Sequence, residues 1–115
     1  MVIETLIEKL NTIGLPVFLQ GSLSADTQYP DSFFTYWNND TSDLNHYDNR
    51  SAGIVWDFDV NTYSSDPRVV LEKMDEAIHI LRSAGFIISG SGHTVASDEP
   101  THTGRGVNVL FIERR

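Results

Sequence analysis

The residues of this chain best equipped for chemistry lie in "GSGHT", residues 90–94, and the polar stretch that follows it to Asp98 and His102. A hydroxyl, an imidazole and a carboxylate in one short segment suggest nucleophilic catalysis. A nucleophile elbow needs Gly-x-Ser-x-Gly on a strand-to-helix turn. Here Ser91 stands directly between two glycines and a strand pattern follows, so the motif fails. A phosphate loop fails as well, because no Gly-Lys-Ser/Thr follows and no helix begins there. The glycine pair reads instead as a bulged or flexible strand end.

His46, Asp48, His93 and His102 are a second set, since imidazole with carboxylate is sound metal-ligand chemistry. No pair of them has helical i, i+4 spacing, and histidines isolated in polar loops are ordinarily solvated. Asp57 and Asp59 are a third set. On a strand they point the same way, roughly 7 Å apart. Acid/base work needs environments that push two pKa values apart, and nothing nearby in sequence does so. The plain reading is the solvated outer face of a half-buried strand.

These residues are carried by a chain of 115 amino acids, the length of one domain spanning 1–115. Its 16 acidic and 8 basic residues give a formal charge of −8, which argues against a protein that grips a nucleic-acid backbone. It contains no cysteine, so disulfides, thiolate zinc sites and cysteine nucleophiles are excluded. The N-terminus "MVIETLIEKL" has no basic start and no apolar run of signal-peptide length, which predicts a protein made and kept in the cytoplasm.

The elements that must position the residues follow from periodicity. Ile3, Leu6, Ile7, Leu10 and Ile13 recur at steps of three and four, predicting an amphipathic helix stopped by Gly14 and Pro16. "LPVFLQGSL" reads as a short strand. Residues 32–37 read as a second, with Phe34 and Tyr36 on one face and Phe33, Thr35 and Trp37 on the other; residues 38–51 read as a polar loop. Ile54, Trp56, Phe58 and Val60 alternate with polar partners over 52–63, the clearest strand. Asp66, Pro67 and Gly85 punctuate a helix whose buried stripe is Val70, Met74, Ala77, Ile78 and Leu81. "FIISGSGHTVAS" and "GRGVNVLFIER" predict a closing antiparallel hairpin. The fold class expected is α+β: a mostly antiparallel sheet of four to five strands with two helices on one face.

The aromatic run "FFTYWNNDTSD" has two bulky faces. A base-stacking platform would need a basic groove, and this segment has acidic neighbours instead. A core strand, or a face covered by another subunit, fits better.

Taken in order, "FFTYWN", "HYDN", "AGIVWDFDV", "DPRVVLEKMDEAIHILRSAGF" and "THTGRGVNVLFIER" resemble the tail-completion family of long-tailed bacteriophages, the tail-terminator or tail-to-head joining proteins. The resemblance covers roughly residues 33 to 113. Tyr47, Asp48 and Asn49 match the family's polar loop marker, whereas "GSGHTVASDEPTHTG" is longer and richer in glycine than its closing hairpin. The resemblance implies a virion structural protein with no enzymatic activity and no cofactor, assembled in the host cytoplasm as a ring, typically a hexamer. The ring would sit at the head-proximal end of the tail, stop polymerisation of the tube protein and dock on the head connector or stopper. DNA would pass through without specific binding. Phe34, Tyr36, Trp37, Asp40, Tyr47, Asp48 and Asn49 are expected on one subunit interface and His102 on the other, with Asp57 and Asp59 facing the lumen. The same residues suit another neck protein, a head-completion or stopper subunit. The rival of another class is a small cytoplasmic enzyme or metal-binding domain built on His46, His93 and His102.

Overall fold

The computed structural model describes residues 2–23, 29–44, 46–47, 50–51 and 53–114, with backbone alone at 46, 47, 50 and 51. The elements run α1 (Val2–Asn11), β1 (Val17–Leu19), β2 (Ser32–Asp43), β3 (His46–Tyr47), β4 (Arg50–Ser51), β5 (Gly53–Ser64), α2 (Pro67–Ser83), β6 (His93–Val95) and β7 (Thr103–Arg114). Five strands form one sheet in the order β1-β2-β5-β7-β6. Only the β1–β2 pair is parallel, so the fold is α+β with a mostly antiparallel sheet. Among the described residues no helix is long and apolar enough to cross a membrane.

Both helices lie on one face of the sheet because their apolar stripes have no other surface to bury. Leu6 and Leu10 of α1 and Met74, Ala77 and Leu81 of α2 are fully enclosed with Phe34, Phe58, Val60 and Val109 of the sheet. The start and stop of α2 are built from local chemistry. Asp66 caps the N-terminus by accepting from the Arg68 N–H at 2.9 Å. At the other end Phe86 N–H donates to Leu81 O and Gly85 N–H to Arg82 O, a Schellman closure that needs the left-handed φ of 97° at Gly85.

Two expectations change. The polar run 38–43 is not loop: β2 continues through it, paired with β5 as far as Asp43↔Ile54. A 12-residue partner strand supplies a hydrogen-bond ladder that outweighs the poor strand preference of Asn and Asp. One irregularity, a bulge between Asn38 and Asp40, reverses which residues face the helices. The closing hairpin is also shorter than its sequence suggests, because only His93–Val95 and an isolated Ile87↔Leu110 bridge pair with β7. Between them, Gly90 and Gly92 take positive φ and turn the chain. With β2, β5 and β7 each 12 residues long, about 40 Å when extended, the molecule measures 53 × 28 × 22 Å.

Candidate functional site: the sheet face away from the helices

Strand registers arrange this second face in cross-strand rows. From one end to the other they run Phe33–Tyr63–Gly104–Val95, Thr35–Asn61–Gly106–His93, Trp37–Asp59–Asn108, Asp40–Asp57–Leu110–Ile87 and Ser42–Val55–Ile112. The chain's own loops cover the first two rows as far as Gly106, and among the described residues no loop covers the last three.

The covered half is an aromatic cluster centred on Phe33. Its ring lies 5.3 Å from Tyr63, 5.8 Å from Tyr29 and 5.9 Å from both Phe18 and His102. Glycine in β7 makes room: a Cβ on Gly104 would stand 2.6 Å from the Tyr63 ring and 2.8 Å from Val95. The loop before β7 is pinned by His102, whose Nε2 lies 2.7 Å from the carbonyl oxygen of Pro30 and therefore donates. In the neutral ring Nδ1 then accepts from the Thr101 hydroxyl, 3.0 Å away. A cavity of about 150 Å³ lies beside this cluster, lined by Leu23, Tyr29, Phe33, Thr35, Tyr63 and Asp98 among others. Burial pushes the Tyr63 phenol above its ordinary value, opposed by the amide of Asn61, which donates to it at 3.2 Å.

The open half is acidic in the middle. Asp57 accepts from the amide of Asn108 at 2.6 Å and of Asn39 at 3.3 Å, while Asn108 also reaches Asp59 at 3.5 Å. Asp40 lies directly opposite Asp57 and Trp37 directly opposite Asp59. Three carboxylates thus share one patch, and neutral amides are the hydrogen-bond partners of two of them, Asp57 and Asp59. This is a surface that repels polyanions. Apolar side chains flank it at the two lateral margins. Trp37 on β2 is 47% exposed, and Ile87, beyond β7, is 46% exposed.

The residues expected to act together are thus sorted by place. Trp37 and Asp40 are exposed on the open face, which Asp57 and Asp59 share. Phe34 is corrected: it is completely buried beneath the helices of its own chain, because it shares a row with Val17 and Thr62 on the core side. Tyr36 packs half-buried against the same core. The second bulky face of β2 finds its cover within the chain only as far as Thr35, where Tyr29, Tyr63 and His102 enclose Phe33, and Trp37 is left exposed. His102 is correspondingly committed to Pro30 and Thr101. Asp48 and Asn49 lie outside the described residues, as do the side chains of His46 and Tyr47. The described residues contain no group of three His, Asp or Glu side chains able to hold a metal ion. His93 stands exposed on β6, paired with Gly106.

"GSGHT" proves to be a turn read by the chain's own arginines. Arg82 donates to Ile88 O at 2.7 Å and Gly90 O at 3.1 Å, and Arg105 to Ser91 O at 3.0 Å and Gly92 O at 3.1 Å. Periodicity pointed to neither this clamp nor the amides on Asp57. The Gly-x-Gly of β7 was the available sign that side chains cross the strand closely.

No protein-family model matches this chain, and no curated protein matches it significantly.

Proposed function

We propose that this chain is a virion structural subunit of the tail-terminator type, which forms a ring on the head-proximal end of a phage tail tube and joins it to the head connector. The reading starts from the ordered sequence resemblance. The observation that carries it furthest is the open half of the sheet, where Asp40, Asp57 and Asp59 share a face that no described loop covers, with an exposed Trp37 at its margin. A carboxylate-bearing wall facing a ring lumen would let DNA pass without adhering, because like charge repels the phosphates. An exposed tryptophan at a sheet margin suits a subunit contact, since aromatics concentrate at interface centres.

The test is electron microscopy of the protein mixed with tail tubes assembled from a purified phage tube protein. Rings or caps at one tube end, with arrested elongation, are the expected result. Tubes that keep growing with bare ends would overturn the reading.

A further inference from the structure

We infer that neighbouring subunits join by continuing the sheet, the β2 margin of one copy lying alongside the β7 margin of the next. This rests on the proposed ring and adds which surfaces meet. β1 pairs with β2 only over Phe34–Tyr36, so among the described residues no strand pairs with Trp37–Thr41 on the side away from β5. Phe34 N–H donates to Pro16 O and Tyr36 O accepts from Gln20, so the even residues before the bulge direct their main chain to that side. Asn38 follows in this alternation, and beyond the bulge Thr41 takes over the orientation.

The opposite margin is incomplete at the same end of the sheet. Ile87 and Leu110 exchange two main-chain hydrogen bonds, of 2.7 and 2.9 Å, and no strand among the described residues continues past Ile87 alongside β7. Two residues on, Ile112 directs its N–H and C=O the same way. Both β2 and β7 are antiparallel to β5, so they run in one direction. A neighbour placed with its helices on the same side therefore presents β2 parallel to β7, a pairing that satisfies both sets of main-chain groups.

Side chains select this contact over its alternatives. Asp40 and Arg114 are both exposed, stand on opposite margins and share the open face, and neither has an ion-pair partner among the described residues. Two β2 margins brought together would oppose Asp40 to its own copy, whereas β2 against β7 sets Asp40 beside Arg114. The same placement carries the exposed Trp37 towards the exposed Ile87 of the neighbour. Unlike patches meeting head to tail generate a closed ring when the rotation fits, and closure leaves no free edge. A contact of so few residues falls short of the ~1,200 Å² that stable pairs bury, so the tube end would template it.

The absence of native cysteine gives a direct test. The register that sets Asp40 beside Arg114 and leaves Ile87 paired with Leu110 places Asp40 opposite Ile112 and Ser42 opposite Arg114, all on the open face, so Asp40→Cys/Ile112→Cys and Ser42→Cys/Arg114→Cys probe it at two positions. Neighbouring strands bring such Cα atoms within disulfide reach, about 5 Å. With tail tubes present and mild oxidation, at least one double variant should give a ladder of covalent multimers on a non-reducing gel, and each single variant should not. Capped tubes without a ladder from either double variant would overturn the inference while leaving the ring intact. Covalent dimers from Ser42→Cys or Asp40→Cys alone would overturn it in favour of like-with-like pairing. Wild-type protein that leaves tubes uncapped would remove the ring on which it stands.

Discussion

At the scale of single residues, "FFTYW" shows how one strand divides its labour. Phe34 is sealed beneath both helices, Phe33 is enclosed by Tyr29, Tyr63 and His102, and Trp37 stands half in solvent. The consequence for stability is graded. Phe34→Ala should cost about 3–5 kcal/mol, through lost transfer energy and the cavity left in a packed core. Trp37→Ala should change the stability of the isolated subunit by less than about 1 kcal/mol, because little is uncovered. Urea denaturation of the two variants checks the contrast; equal losses would mean that Trp37 is as much a core residue as Phe34. Alternation alone separated Phe34 from Phe33, but it could not say that the second face would be covered by loops from distant parts of the sequence.

At the scale of elements, α2 was the most legible part of the chain because its signals are local. The buried stripe Val70, Met74, Ala77, Ile78 and Leu81 is the one its periodicity predicts, and Asp66, Pro67 and Gly85 stand where capping chemistry requires them. Asp66→Ala should therefore lower stability by about 1 kcal/mol, within the ~0.5–2 kcal/mol range of lost N-caps, and Asp66→Asn should recover most of it. Thermal or urea unfolding of the two variants decides this; an Asn variant as weak as the Ala one would place the cost outside the cap. Strand β2 was legible only to Trp37. Its continuation through "NNDTSD" depends on hydrogen bonds to β5, which local preference does not register. The segment "FIISGSGHTVAS" failed in the opposite direction: its apolar start reads as strand, yet the arginine-clamped turn at Gly90–Gly92 leaves β6 only three residues.

At the scale of the whole molecule, the helices bury one face of the sheet except its far end, where Thr41 and Asp43 are exposed, and among the described residues half of the other face stays open. The covered half closes on Phe33; the open half carries the carboxylates, flanked by Trp37 and Ile87. If the ring forms as proposed, Trp37→Ala should weaken self-association on tube ends by about 30-fold, the scale of a tryptophan hot spot worth ~2 kcal/mol. Glu72→Ala, on the solvent side of α2, should leave it within about twofold. Titrating each variant against tail tubes and counting capped ends in micrographs measures both; a Trp37 variant that caps as well as Glu72→Ala would remove this residue from the interface.

By itself the sequence determined the α+β class, the two helices and their buried stripes, the central strand β5, and the co-facial placement of Asp57 and Asp59. Each is a property of spacing, and spacing is read directly from the order of residues. Only the tertiary structure decided that Phe34 belongs to the core, that His102 is tied to Pro30, that amides from Asn39 and Asn108 meet Asp57, and that Trp37 and Ile87 end up exposed on opposite margins. Those outcomes depend on strand register, on one bulge at Asn39 and on contacts between residues far apart in the chain. Moving a register by one residue would exchange the two faces and send the acidic row into the core.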